Sequence, residues 1–577
     1  MKKLVSLILT LCIAFSLASA NALDAGTYTA TGKGNNGDVT VEVTLSDSAI
    51  TDVKIVAHAE TAGLADPALE KIPAAIVAHN TLAVDTVSGA TNTSAAIVAA
   101  VEDAIKQAGG DPETFQVPVE KAPAEMKEVE LQADVIVVGG GISGLSAALG
   151  AVDEGVEVIL FEKTASFGSF GMAAGHFAVV GSQSEIDAGY DVSVESALGR
   201  LQLNNEADGK QSGYPDYDKL TCILENSSGN VQWLKSQGLN LGGVMAPGAE
   251  LARLQTVTSE GEIKNGAYAA ERLYTTMGEK GVTTYMETPV TELIVENGKV
   301  TGVVAQSSDT IYRAYAKGGV VLCCGGFGHD KERMAAEVPE YANAMCLAAV
   351  GDTGDGFAMA EAAGAKFYDN PWVAAATPVV SMNVPDSAAI SYTAGVMVNK
   401  EGKRLVSETA HYSLVCNTLA WNPDALFLYD SSLDARNAAL ESAVSVNEAF
   451  KGETIEELAA AAGIDAAGLA ATVETFNAYC AAGEDPEFGK LELAAIEKGP
   501  FYAVKMIPSY IGTLGGVVTT EKGEVLSISD EVIPGLFAAG EMSNRPYYNY
   551  GYISAASLQF YSHLGHVAGM NAALNAK

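Results

Sequence analysis

Positive charge is what this sequence has least of: 34 lysines and arginines stand against 71 aspartates and glutamates over 577 residues, a formal charge of −37. That balance repels nucleic acid and anionic membrane surfaces and favours a soluble, freely diffusing protein. Only eight residues are arginine, so a site for an anionic ligand must concentrate a scarce side chain. Cysteine is also sparse. Beyond Cys12 there are Cys222, Cys323, Cys324, Cys346, Cys416 and Cys480, and none forms C-x-x-C or C-x-x-C-H. Iron–sulfur, zinc and c-type haem sites lose support, and no metal site is expected. Cys323 and Cys324 are neighbours in a strand and point to opposite faces, so a bridge between them would be strained; they read as buried thiols. Past the first 22 residues no apolar run has the length of about 20 residues that a membrane span needs.

Those first residues, Met1–Ala22, carry two lysines, an apolar run from Leu4 to Leu17 and small residues at the end, the pattern of a secretory signal peptide. Cys12 lies inside the apolar run rather than after it, which argues against a lipid-anchored cysteine. The chain is therefore expected to be exported, to the periplasm, the cell envelope or the medium. An exported protein without evident disulfides fits an anaerobe or a large self-sufficient core. With 48% hydrophobic residues, the chain has material for three or four domains of about 150 residues each.

The stretch Ala133–Lys163 sets out a complete nucleotide-binding unit. Asp134–Val138 is an apolar strand, Gly139-Gly140-Gly141-Ile142-Ser143-Gly144 supplies G-x-G-x-x-G, an alanine-rich helix follows, and Val158–Phe161 is a second strand ending at Glu162 and Lys163. Gly139 permits the tight turn, Gly141 lets the backbone approach a pyrophosphate, and Gly144 allows the helix to lie close on the strand. The phosphates then meet the positive end of the helix. Glu162 stands about 20 residues on, where a carboxylate can accept from a ribose hydroxyl.

Residues 23–110 form a smaller α+β module. Polar and apolar residues alternate through Val39–Leu45 and again near Val53–Val56, giving a hairpin or meander, and helices follow at Ala65–His79 and Ala95–Gln107. The small hydroxylated loop Asp85–Ser94 precedes the second helix. It is either an anion-friendly pocket at a helix N-terminus or an ordinary Ser/Thr N-cap. Residues 111–132, rich in Pro, Glu and Lys, read as a linker.

Asp85-Thr86-Val87-Ser88-Gly89-Ala90-Thr91 resembles the flavinylation motif of the small FMN-binding domain, with Thr86 where the motif often has glycine. The resemblance implies FMN joined through its phosphate to Thr91 by a flavin transferase, with Ser88, Gly89 and Ala90 around it. From Ala133 onward the chain resembles the flavoprotein subunit of the fumarate reductase and succinate dehydrogenase family, with its flavocytochrome-type, urocanate-reducing and ketosteroid-dehydrogenating relatives. The likeness rests on ordered motifs: Ser166–Gly175 (Ser169 and Gly175 against the flavin, the usual asparagine absent), Thr288–Leu293 (Val290), Gly319–Gly326 (Gly325 and Gly326), Gly351–Gly356 (Asp355) and Pro534–Glu541 (Gly540 and Glu541), followed by Ser557 and Leu558. It implies a Rossmann-like α/β FAD-binding domain in two parts, 133–367 and 501–577, with an inserted α+β capping domain at 368–500. FAD is expected to be noncovalent, since His176 alone stands near the place of the family's histidine tether. The alanine-rich runs Glu456–Ala462 and Ala466–Ala481 read as scaffold helices.

The family holds fumarate with cations, and this chain departs from each of those motifs. Tyr412, counted from Arg404 in the turn Asn399–Arg404, stands where relatives have the arginine acid. Tyr392, Tyr547, Tyr548, Tyr550 and Tyr552 fall in other segments expected to meet over the flavin. A phenol can donate a proton, and its ring can stack on a planar acceptor. Tyr412, Tyr392, Tyr548 and Tyr550 are therefore the catalytic candidates. Arg545 is the one nearby guanidinium for a carboxylate, and His411 should point away from Tyr412 if the segment is extended. The expected activity is reduction of an activated C=C in an enone or aryl-acrylate type acceptor, with electrons passing from FMN to FAD, fed by a membrane-associated donor in anaerobic respiration. The alternatives are an extracytoplasmic electron-transfer flavoprotein with no substrate of its own and a ketosteroid-type dehydrogenase.

Overall fold

The computed structural model describes residues 23–60, 65–87, 90–118, 126–190, 193–207, 209–245 and 253–577. The expected signal peptide, Ser88, Gly89 and residues 119–125 of the expected linker lie outside them.

In the first module the strands β1 (Gly26–Lys33), β2 (Asp38–Leu45) and β3 (Ile50–Ala57) form an antiparallel meander. Val39, Val41, Val43 and Leu45 are buried while their neighbours along β2 are not, because successive side chains of a strand face opposite sides. That face is covered by α1 (Asp66–His79) and α2 (Thr91–Gln107), the latter burying Ile97, Ala100, Val101, Ala104 and Ile105. Close contact depends on Gly32, where a Cβ would come within 1.9 Å of the Ala96 carbonyl oxygen. The second helix starts at Thr91, not Ala95. Ser94 Oγ accepts from Val87 N and donates to Ala90 O, which ties the loop to the first turn.

The expected linker is shorter at both ends. Phe115 is 1% exposed in the core of the first module, its carbonyl accepting from Leu82 N; burial of an aromatic ring outweighs the polar composition around it. At the other end β4 (Lys127–Val138) begins before Ala133 and pairs from Lys127 with Thr310.

The main sheet carries β5 (Val158–Phe161) and then β6 (Thr283–Tyr285) beside β4, all parallel. Val135–Val138 and Val158–Phe161 are wholly buried, as expected for parallel strands covered on both faces. On the other side of β4, β7 (Val290–Glu296) and β8 (Lys299–Gln306) form a hairpin that pairs with the first half of β9 (Thr310–Leu322). The second half of β9 takes a late strand, Val532–Ala538, in parallel. One face is covered by α3 (Ile142–Asp153) and the C-terminal helix Ala556–Ala576.

The inserted cap has its own antiparallel sheet of Val396–Val398, Leu426–Tyr429, Phe501–Val504 and Ala449–Gly452, in that order. Two boundaries therefore move. Phe501–Val504, expected in the second part of the FAD-binding domain, pairs in the cap sheet. Trp372–Ala375, expected in the cap, pairs with Ser509–Leu514 and lies in the main core. Between the cores runs α4 (Tyr412–Trp421), with Val415 and Leu419 in the cap core and Cys416 and Ala420 in the main core.

Candidate functional site

Gly139 turns the chain from β4 toward α3 with φ +106°, and a Cβ there would sit 2.2 Å from the Cys323 carbonyl oxygen. A Cβ on Gly144 would lie 1.8 Å from the Gly139 carbonyl oxygen. At Gly141, the N-cap of α3, a Cβ would meet open space. That space is a cavity of about 490 Å³, a size suited to a cofactor or substrate. Two glycines thus close the turn and the packing, and the third leaves backbone bare at the positive end of a helix, which fits a pyrophosphate.

Gly139, Gly141, Ile142 and Ser143 line this cavity, with Glu162, Lys163, Ser169, Val290 and Gly325 around them and Asp355, Glu541, Ser557 and Leu558 across it. Gly144, Gly175, Gly326 and Gly540 stand behind the wall. Gly175 and Gly540 have φ of +79° and +75°, and side chains there would strike Lys264 O and Ser143 Oγ. Glu162 is held by Gly140 N, Thr164 N and Thr164 Oγ1, each at 2.7 Å. Lys163 Nζ donates to Asp355 at 2.6 Å and to Thr353 Oγ1 at 2.7 Å.

Two carboxyls meet at this cavity. Asp352 accepts from Ser169 Oγ at 2.9 Å, and Glu541 accepts from Thr513 N at 2.9 Å. A Cβ on Gly325 would collide with Asp352 and one on Gly326 with Glu541, so the glycine pair clears room for both acids. Burial and, for Glu541, the nearby Asp352 charge raise both pKa values above the usual carboxylate range, that of Glu541 to about 8. Asp352 was passed over in the sequence although it belongs to the Gly351–Gly356 turn.

A second cavity, of about 520 Å³, lies between the first module and the main one. Ala90, Thr91, Asn92 and Thr93 line it from one side and Ser166, Gly168, Gly171–Ala174 and Asn265 from the other. Thr91 is exposed in the first turn of α2, so its hydroxyl stands at a helix N-terminus facing a cavity, an arrangement that fits a phosphoester. Glu60 is held in the wall by Asn36 N and by Thr93 Oγ1.

The six tyrosines do not form one cluster. Tyr552 lines the first cavity and its hydroxyl lies 2.7 Å from Ser557 Oγ. Tyr548 is fully buried against Tyr552 and Phe560. Tyr547 packs on Phe560, and Tyr550 fits edge-on between Trp372 and Trp421. Tyr392 packs against the cap core. Tyr548 thus packs as a ring in the main core, with Tyr550 packed against that core.

Arg545 is not on the surface, and among the described residues its buried Nη2 has no hydrogen-bond partner. It is fully buried, and its guanidinium donates to the carbonyls of Asn370, Tyr548 and Asn549 while stacking 4.3 Å from the Tyr214 ring centroid. Burial lowers its pKa to about 10.

Tyr412 OH meets Ser554 Oγ at 2.9 Å, and His411 Nε2 meets the same oxygen at 3.1 Å. The two rings lie 4.0 Å apart. His411 does not point away, because the segment is a helix start rather than a strand: His411 is the N-cap of α4. The apolar periodicity of Val415, Cys416, Leu419 and Ala420 could have signalled the helix. Ser413 Oγ accepts from Tyr552 N at 3.0 Å, which ties this helix start to the loop lining the first cavity.

A capped dinucleotide-binding domain whose cavity adjoins that of a second small module is the build of a two-module flavoprotein oxidoreductase. The chain belongs to the FAD binding domain family, matched over residues 134–554, a family of FAD-dependent oxidoreductases acting on C=C and CH–CH bonds; residues 34–106 match the FMN-binding domain family. It is 30% identical to the urocanate reductase of Eggerthella lenta over 97% of this chain and 94% of that one. It is 29% identical to the NADH:acrylate oxidoreductase of Vibrio harveyi over 90% of this chain, but spans only 58% of that relative's length. A solved structure of the open conformation of a flavocytochrome c3 fumarate reductase is 30% identical, with TM-score 0.58 over 77% of this chain and 79% of that one.

Proposed function

We propose that the protein is an exported reductase that saturates an activated C=C bond of a small organic acceptor, of enone or aryl-acrylate type rather than fumarate. The observation that carries this is the convergence of Tyr412 and His411 on Ser554 Oγ, a phenol and an imidazole on one hydroxyl in the segments where the fumarate-reducing relatives place arginines. FAD, when bound in the first cavity, supplies hydride chemistry to one alkene carbon. Tyr412 is the phenol that holds the proton for the other carbon in this reading. Ser554 orients the phenol, and His411 stands across Ser554 to restore the proton. The likeness to reductases named for urocanate and acrylate supports the reaction class.

FAD is bound noncovalently in this reading, and FMN is attached to Thr91 by a flavin transferase. Electrons enter at FMN from a membrane-associated donor and pass to FAD, as in anaerobic respiration. The signal-like Met1–Ala22 supports export.

The test is Tyr412→Phe, assayed against a panel of fumarate, acrylate, urocanate, aryl-acrylates and enones. Losing a general acid costs about 10²–10⁴-fold in rate, so turnover of the best acceptor should collapse while chemical reduction of the bound flavin stays normal. A variant within about threefold of wild type, far from that expected loss, sinks Tyr412 as donor. Fumarate turnover matching the best acceptor sinks the substrate class.

A further inference from the structure

The two cavities share a wall. Thr164, Gly168, Met172, Ala173, Ala174 and Gly351 line both. Met172 is 55% exposed in the segment between them. The modules are joined on this side by packing of Ala165 against the first module's core and by the Lys71–Glu287 ion pair. The second cavity is therefore only half built by the module that carries Thr91; its far side belongs to the main module.

We propose that the flavin on Thr91 docks into this inter-module cleft, so that the segment Gly168–Ala174 serves as the far wall of its site and as the near wall of the FAD site. The proposal rests on the reading that Thr91 carries FMN. It adds that the main module is a structural part of the FMN site and that the FMN-to-FAD contact runs through one short stretch of small residues with Phe170 and Met172. Two electrons leave a reduced flavin at Thr91 and arrive at an oxidised flavin in the first cavity, the accompanying protons being exchanged with solvent. Each passage oxidises one flavin and reduces the other, with no further reactant.

Gly171 isolates the claim because it lines the second cavity and not the first. A Cβ there meets nothing within 4 Å, so Gly171→Leu should fold and fill only the cleft. Val350, 50% exposed and lining only the second cavity, gives an independent variant, Val350→Trp. The holoprotein is made in a host with the transferase. Intact mass reports FMN on Thr91, acid precipitation releases FAD for counting, iodide quenching reports access to the bound FMN, and a substoichiometric pulse of photoreduced deazaflavin reports redistribution of electrons between the flavins.

The expected result is unchanged FMN mass and FAD content in both variants, FMN newly open to iodide, and redistribution slowed about 10–100-fold, the scale of an ångström-level misplacement. Both variants behaving as wild type in quenching and redistribution overturns the docking while leaving FMN on Thr91 intact. Wild-type protein without the added FMN mass overturns the docking together with the reading beneath it.

Discussion

Glu408 offers a quantitative test that is independent of any substrate. Its side chain is 0% exposed and accepts from Arg404 Nη2 at 2.9 Å, Lys490 Nζ at 3.0 Å and Met397 N at 2.8 Å. Arg404 Nη1 also reaches Asp485 at 2.7 Å, and Lys490 Nζ the carbonyls of Thr393 and Gly395. Two cations and two carboxylates balance in a buried site. Glu408→Ala leaves one uncompensated positive charge, which costs about 3–5 kcal/mol, and strips Met397 N of its acceptor for about 1–3 kcal/mol more. Against a domain stability of about 5–15 kcal/mol, the cap should open far below the main module. Hydrogen exchange should show it, with Val396–Val398 and Leu426–Tyr429 losing protection while Val135–Val138 keeps it. Burial already lowers the Lys490 pKa, and losing Glu408 lowers it further. The folded state then binds fewer protons than the unfolded one, so stability rises with pH and the deficit of the variant narrows toward alkaline pH. A loss below about 1 kcal/mol, the range of exposed pairs, with no pH trend would show that the network is solvated and the reasoning wrong.

Gly144→Ala, whose Cβ would fall 1.8 Å from Gly139 O, should destabilise the main module by about 1–3 kcal/mol, measured by denaturant unfolding. Gly141→Val places its side chain in open cavity, so it should fold normally yet fail to retain FAD on gel filtration. For the FAD-free chain, the raised pKa values of Glu541 and Asp352 mean that the folded state holds more protons than the unfolded one. Their contribution to stability is then greatest below the unfolded carboxyl range near pH 4 and is lost as pH rises through the folded values; the difference between wild-type and Glu541→Gln thermal melts across this range should show it.

The nucleotide-binding unit was legible because each of its demands is local: a strand, a turn that only glycine allows, a helix start. The meander of the first module was legible for the same reason, as period-2 burial in β2. Boundaries were not. Phe115 and Phe501 change sides because of partners far away in sequence, and composition does not register a strand that pairs with Leu426–Tyr429. The tyrosines failed as a group because proximity along the chain is not convergence in space. Tyr548 and Tyr550 share a loop with Tyr552, but only Tyr552 among those three lines the cavity. His411 was misplaced by one choice of secondary structure.

That choice also changes which part of the molecule holds Tyr412. Counting from the cap turn at Asn399–Arg404 suggests that the cap delivers the phenol to the flavin. Yet α4 is tied to the main module. Asn417 Oδ1 accepts from Tyr341 OH at 2.7 Å and Trp372 Nε1 at 3.1 Å, and its Nδ2 donates to Tyr550 O at 2.9 Å. Cys416 Sγ meets Ser509 O at 3.4 Å, and Ser413 holds the cavity-lining loop through Tyr552 N. Buried hydrogen bonds each contribute about 0.5–1.5 kcal/mol net and cost more when left unmade, so this set resists separation. The cap grips the other side of α4 through the apolar contacts of Val415 and Leu419, which have no directional requirement and can slide. If the cap shifts to admit an acceptor, the sliding surface is therefore the Val415–Leu419 face. Tyr412, Ser554 and His411 then stay with the main module through Ser413 and the Tyr552 loop, so the proposed donor arrangement does not depend on where the cap sits.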